Sequence, residues 1–168
     1  VLAEVLRGAR VESVHRGTTI VGRGEEVIYA AGDVDVPQFW RSSAKPFQAL
    51  AALSVFDRAK FATRPIETAL VAASHGGTPI QTEAVAALLE RGGVTQDRLR
   101  CGTHAPYDPT AAAALARSGR SPLPIHHNCS GKHAGMLISA RLQGLPIESY
   151  LETDHPTQIA ARREIAEA

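Results

Sequence analysis

Arg41-Ser42-Ser43-Ala44-Lys45-Pro46, running on into Phe47-Gln48-Ala49-Leu50-Ala51-Ala52-Leu53, sets a serine and a lysine three apart at the start of an apolar helical segment. Side chains at that spacing share a helix face, so the Ser42 hydroxyl and the Lys45 amine come within reach of each other. A nucleophile that lacks a histidine base needs that kind of pairing. The chemical demand falls on the lysine: an ordinary one, with a pKa of about 10.4, is neutral in only about one molecule in a few thousand at pH 7. Burial, a second cation or the positive end of a helix each lower that cost. A serine before an apolar run is also a plain helix N-cap, so both readings stand at this point. Composition leans towards chemistry. With ten serines and three lysines in the chain, chance alone predicts roughly 0.2 such Ser-x-x-Lys patterns, and fifteen arginines carry most of the positive charge.

The 168 residues are read as a single domain, long enough for a proper core. With 44% hydrophobic and 21% charged residues the chain falls in the ordinary globular range. A net charge of +1 argues against nucleic acid or an anionic membrane as partner. No apolar run approaches the length that spans a bilayer. Cys101 and Cys129 are too few for a disulfide framework, and a cytoplasmic address is expected.

Residues 1–31 read as a β-meander, with strands over Val1–Leu6, Val11–Val14, Thr18–Val21 and Glu26–Ala30 separated by Arg-Gly turns. Asp33 and Asp35 lie in a loop and are read as solvated. A helix is expected over Phe47–Phe56 with Phe47, Leu50, Ala51 and Leu53 as its buried side, and Pro46 biases Lys45 away from helical geometry. A second helix starts at Pro65 and runs to about Ala73. Thr78-Pro79-Ile80-Gln81 carries a capping-box pattern, and Ile80, Ala84, Val85, Leu88 and Leu89 form the stripe of a helix closed by Gly92-Gly93. Ser74-His75-Gly76-Gly77 falls in the tight loop between those two helices. Ala72–Gly76 also resembles a degraded nucleophile elbow, which requires residues 68–73 to be a strand. Further helices are expected over Ala111–Arg117, through Leu137, Ile138 and Leu142 up to Gly144, and from Thr157 to Ala168.

The densest cluster of reactive side chains is His126-His127-Asn128-Cys129-Ser130-Gly131-Lys132-His133. It is not a phosphate loop, because histidine stands where the first glycine should be and His133 replaces the Ser/Thr. Cys129 sits at a helix N-terminus, where the dipole favours a thiolate, three residues before Lys132. A zinc ion would deprotonate such a thiol and could take a neutral lysine amine as a second ligand, against the bland reading of a histidine-rich loop. Cys101 alone reads as a small buried hydrophobe.

Six blocks together resemble one family, the Rhizobium etli type (inducible, AnsA-like) L-asparaginases. They are Val11–Gly17, Arg41–Gln48, Ala73–His75, Cys101–His104, Asn128–Gly135 and Asp154–Gln158. The resemblance implies an α+β fold related to serine β-lactamases and glutaminases, an antiparallel sheet with helices around it, incomplete in this chain. It implies hydrolysis of L-asparagine to L-aspartate and ammonia through Ser42 with Lys45, and a second Ser-Lys pair whose serine is Ser74. It further implies a zinc (Zn2+) beside the substrate, held by Cys129, Lys132 and a later cysteine. Arg41, Asn128 and His133 are expected to line the substrate pocket, with Arg41 on the α-carboxylate. The expected assembly is a homodimer. The family's members are longer, so a C-terminal half, in cis or as a second chain, is expected to supply the third zinc ligand and the lysine for Ser74. Residues 1–168 alone are then expected neither to turn over asparagine nor to hold zinc tightly. Another acyl-serine amidase, of glutaminase or β-lactamase type, and a non-catalytic zinc-binding domain are the alternatives.

Overall fold

In a computed structural model, which describes residues 1–167, the chain is α+β, with two small antiparallel sheets followed by six α-helices. Its residues group into two compact units, Val1–Phe39 and Trp40–Ala168.

The first unit holds four strands, β1 (Ala3–Arg7), β2 (Arg10–His15), β3 (Thr19–Arg23) and β4 (Glu26–Ala31). The strands expected from the alternating pattern are all present. Their pairing is different: β1 pairs with β2 and β3 with β4, as two separate two-stranded hairpins and not one meander. Each hairpin closes on a two-residue turn whose first glycine, Gly8 or Gly24, has a φ near +60° (61° and 59°) that tight turns demand. The link between the hairpins explains the break. Gly17 lies against the Leu2 side chain, and Gly32 in turn lies on the Gly17 carbonyl, so the link folds onto the hairpin ends and does not extend the β2 ladder.

The second unit contains α1 (Lys45–Arg58), α2 (Pro65–Ala72), α3 (Pro79–Arg91), α4 (Pro109–Arg117), α5 (Ser130–Leu142) and α6 (Pro156–Ala166). Its core is built from Phe56, Leu70, Val71, Val85, Leu88, Leu137 and Ile138 among others. α5 runs through the middle, touching α1, α2, α3 and α6. Two positions expected in the core are outside it: Leu50 is 53% and Ile80 66% exposed. Ala51 and Ala84 are buried as expected; in α1 Ala49 and Ala52 take the inward face in place of Leu50, and Ile80 lies in the first turn of α3 ahead of its buried residues Ala84, Val85, Leu88 and Leu89. Residues 65–72 are helical, so the elbow reading of Ser74 fails.

Two glycines bring α2 and α5 together. A Cβ at Gly131 would fall 2.2 Å from the Leu70 carbonyl oxygen, and one at Gly135 would fall 2.7 Å from a Val71 methyl. Spaced four apart, they present one bare stripe of α5 to α2. Glu67, fully buried in α2, takes Arg91 from the end of α3 and Arg64 from its own N-terminus, each at 2.7 Å. Arg91 above all holds that carboxyl down to about 2. Glu67 thereby ties the first turn of α2 to α3, while the two glycines set its later residues Leu70 and Val71 against α5; two residues beyond its end is Ser74.

Candidate active site

Ser42 opens the site from a short 3-10 turn, Arg41–Ala44, that leads directly into α1. The turn starts at Arg41 with φ +49°, a left-handed conformation that costs a non-glycine residue of order 1 kcal/mol or more. Lys45 is fully helical (φ −61°, ψ −40°), against the expected bias from Pro46. Proline in the first turn removes an N–H that has no helical partner anyway, and the preceding 3-10 turn already sets the helical direction. Ser42 caps neither helix with its side chain, which removes the N-cap reading.

Lys45 is only 2% exposed, and its amine points across to a different serine. Nζ donates to Ser74 Oγ at 2.7 Å, and Ser74 Oγ donates to Ser42 Oγ at 3.3 Å. The expected Ser42–Lys45 pair is thus bridged by Ser74, and Ser74, expected to wait for a lysine outside this chain, has Lys45 itself. Nζ also reaches the Asn128 carbonyl at 3.4 Å. Among the described residues Lys45 makes no ion pair.

The three atoms sit beside a cleft lined by Arg41, Ser42, Lys45, Gln48, Cys129 and Lys132. Arg41, both metal candidates and the Ser-x-x-Lys pair therefore share one opening, and Gln48, one helical turn beyond Lys45, joins them. Burial is the main influence pulling the Lys132 amine below its ordinary range, while the Cys129 thiol opposes it. Cys129 is the residue immediately before α5, its N–H donated to His127 Nδ1 at 3.0 Å and its thiol 3.4 Å from Asn128 Oδ1. Asn128 is not among the residues that line the cleft, and its N–H is donated to His104 Nε2 at 3.2 Å. His104 stacks on Tyr107 and tilts against His127, a ring cluster that spacing alone could not show. His133 faces inward: it is 7% exposed, and its Nδ1 lies 2.6 Å from the Tyr150 hydroxyl. Burial lowers His133 to about 3 and raises Tyr150 to about 12, so both are neutral and share one hydrogen bond. Cys101 is half-buried, its thiol 3.3 Å from the Pro124 carbonyl and pushed up by burial to about 11.

The family model described as L-asparaginase II matches residues 3–168, both units together. The chain belongs to the L-asparaginase II family. Comparison with curated proteins gives no match. Membership makes this an asparaginase-type chain, of a family that hydrolyses the side-chain amide of L-asparagine. No helix among the described residues is long and apolar enough to cross a membrane.

The zinc expectation meets a partial donor set. Cys129 and Lys132 line one cleft, but no group of three or more His, Cys, Asp or Glu side chains is arranged to hold a metal among the described residues. A protein zinc site has at least three protein ligands, so these residues do not by themselves fit a resident zinc.

Proposed function

We propose that the cleft binds L-asparagine and that Ser42 is acylated by its side-chain amide carbon. The chain Lys45 Nζ–Ser74 Oγ–Ser42 Oγ, at 2.7 and 3.3 Å, carries this reading. With Lys45 charged, hydrogens point from the amine towards Ser42. With Lys45 neutral the same three atoms carry the proton the other way. As Ser42 Oγ bonds to the amide carbon, its proton passes to Ser74 and the Ser74 proton passes to Lys45. Lys45 returns a proton to the leaving nitrogen, ammonia departs, and water cleaves the aspartyl ester by the reverse transfers. Ser74 is thus a proton relay, and one lysine serves both serines.

Arg41 lines the cleft next to the nucleophile, and its guanidinium suits the α-carboxylate. Asn128 contributes first through its carbonyl, which holds Lys45. His133 supports α5 from the interior through Tyr150. Cys129 and Lys132 border the substrate region, and a zinc there would need a donor from outside these residues.

The shorter of the two contacts favours a second reading, in which Ser74 is the nucleophile and Ser42 assists. Ammonia release by Ser42→Ala, Ser74→Ala and Lys45→Met in the complete enzyme separates them. Loss of the acyl intermediate in Ser42→Ala, with slow residual acylation in Ser74→Ala, supports the relay. Near-normal turnover in Ser42→Ala transfers the role to Ser74. Asparagine, glutamine and a chromogenic β-lactam in parallel assays test the substrate class, and turnover of only the latter two would sink the asparaginase reading.

A further inference from the structure

His75 follows the relay serine directly, yet it is buried, 5% exposed, and is not among the residues that line the cleft. Both ring nitrogens are used. The Gly77 N–H donates to Nδ1 at 3.1 Å, so Nδ1 carries no hydrogen. The hydrogen is therefore on Nε2, which lies 2.9 Å from Ser130 Oγ and donates to it. Ser130, itself fully buried, passes its own hydroxyl hydrogen to the Ile125 carbonyl at 3.0 Å. Every donor in this row has one direction and every acceptor is filled. Burial keeps the ring neutral, with its pKa lowered to about 4, which the arrangement requires because a second ring hydrogen would confront the Gly77 N–H.

The row ties three segments that have no covalent reason to be adjacent: the loop after α2, the 3-10 turn Pro124–His126, and the first residue of α5. The His75 backbone extends the same tie. Its N–H donates to the Asn128 carbonyl at 3.2 Å, the oxygen that also receives Lys45 Nζ at 3.4 Å. One carbonyl is thereby shared between the residue after Ser74 and the amine that contacts Ser74.

We infer that His75, through Ser130, is a positioning residue that fixes Ser74 Oγ against Lys45 Nζ and so sets the relay geometry for Ser42. The inference rests on the Ser42–Ser74–Lys45 reading. Ser74 itself is exposed at the end of a helix, and Ala73 before it is extended, so little else on its own side restrains it. A relay of hydroxyls tolerates small displacement poorly, since proton transfer needs hydrogen-bond contact and a misplacement of about 1 Å costs on the order of 100-fold in rate.

Two variants of the complete enzyme dissect the ring. Asparagine places a polar atom near the Nδ1 position and keeps the local Gly77 bond, but it does not reach Ser130. Glutamine reaches Ser130 and restores the tie between segments. His75→Asn and Ser130→Ala are expected to lower kcat for asparagine by roughly 10- to 100-fold with KM within about twofold. His75→Gln should recover most of kcat, and His75→Asn combined with Ser130→Ala should be no slower than either alone. Side-chain 15N spectra of the wild type at neutral pH should show His75 with its hydrogen on Nε2. Wild-type kcat in folded Ser130→Ala, equal losses in the Asn and Gln variants, or a hydrogen on Nδ1 would each overturn the inference. If His75→Asn does not fold, Ser130→Ala carries the same test with a smaller change. Failure of the relay itself looks different: Ser42→Ala would then retain turnover, while the 15N result would still judge the tie.

Discussion

Val5, Val11, Ile20 and Val27 of the hairpins remain 44%, 50%, 53% and 60% exposed, whereas Leu88, Leu137 and Ile138 of the helical unit are 0% exposed. The local sequences are comparably apolar, so composition does not separate the two regions. What separates them is how many neighbours an element has within its own unit. A hairpin satisfies its backbone bonds with one neighbour and still shows both faces, while α5 is surrounded by α1, α2, α3 and α6. Gly131 lies against the Leu70 carbonyl and Gly135 against the Val71 side chain there, and it is this close approach that lets α2 deliver Ser74 to Lys45. The candidate chemistry lies entirely in the region where side chains are held on several sides.

The sharpest test of that contrast is the buried amine. Lys45→Met keeps the length and apolar stem of the side chain but removes the amine proposed as the proton acceptor. Asparagine turnover should fall by about 1,000-fold, within the range for a lost general base. Stability should hold or rise, because a buried amine without an ion pair is replaced by an apolar group. A large loss of stability together with activity would mean that the amine is a structural strut.

Acid is expected to act on the helical unit next. His75 and His133 have folded values of about 4 and 3, below the ordinary 6.5. The unfolded chain therefore takes up protons that the folded chain refuses, so their contribution is complete above pH 6.5 and declines as pH falls towards 4 and 3. Glu67 acts in the same direction lower down, from 4.5 towards its folded value of about 2. Together the two histidines amount to on the order of a few kcal/mol by pH 4. Trp40, the single tryptophan, packs edge-on against Phe47 at 5.3 Å and reports on this unit by fluorescence. Urea midpoints that stay level or rise between pH 7 and 4 would contradict the buried, neutral state of both rings.

How far this architecture could be read from the chain follows from the range of each signal. Proline at the first turn of α2 and α3 and glycine after α3 and α5 mark helix ends locally, and those boundaries appear where expected. α4 begins two residues before its expected start, at Pro109. Asp108 caps it by accepting the Ala111 N–H at 2.7 Å, a local signal directly before the proline. Periodicity places Leu50 and Ile80 inward, but Leu50 yields the buried face to Ala49 and Ala52, and Ile80 lies in the first turn of α3, ahead of the buried residues that follow it. The Lys45–Ser74 bond was out of reach for a different reason. It joins residues 29 apart through the packing of α2 on α5, and spacing along one helix offered only Ser42 as the partner. Strand pairing failed likewise, since alternation specifies which residues form strands and not which strands meet.

Glycine replacements compare the two regions at matched chemistry. Gly131→Ala would set a Cβ 2.2 Å from backbone oxygen, which a side-chain rotation cannot relieve, and α2 must move. The expected cost is about 2–3 kcal/mol, with a further loss of kcat as Ser74 shifts. Gly8→Ala, in the first hairpin turn, meets nothing within 4 Å and pays only for its φ of +61°, about 1 kcal/mol. Thermal unfolding of both variants checks the order, and an equal or reversed cost would remove the close approach as the organising contact.

The smallest effect is expected on the strands. Val27 in β4 is 60% exposed, and threonine preserves its β-branched shape and strand preference while adding a hydroxyl that solvent can satisfy. Val27→Thr should therefore change stability by no more than about 0.5 kcal/mol, the range for surface positions. The same exchange at a buried site such as Val85, which is 0% exposed, adds a polar group without a partner and should cost about 1–3 kcal/mol. Chemical denaturation of the pair turns the contrast between hairpins and helices into one number. A Val27 cost as large as that of Val85 would show that the working enzyme covers this strand, and that its apolar alternation serves a packed sheet after all.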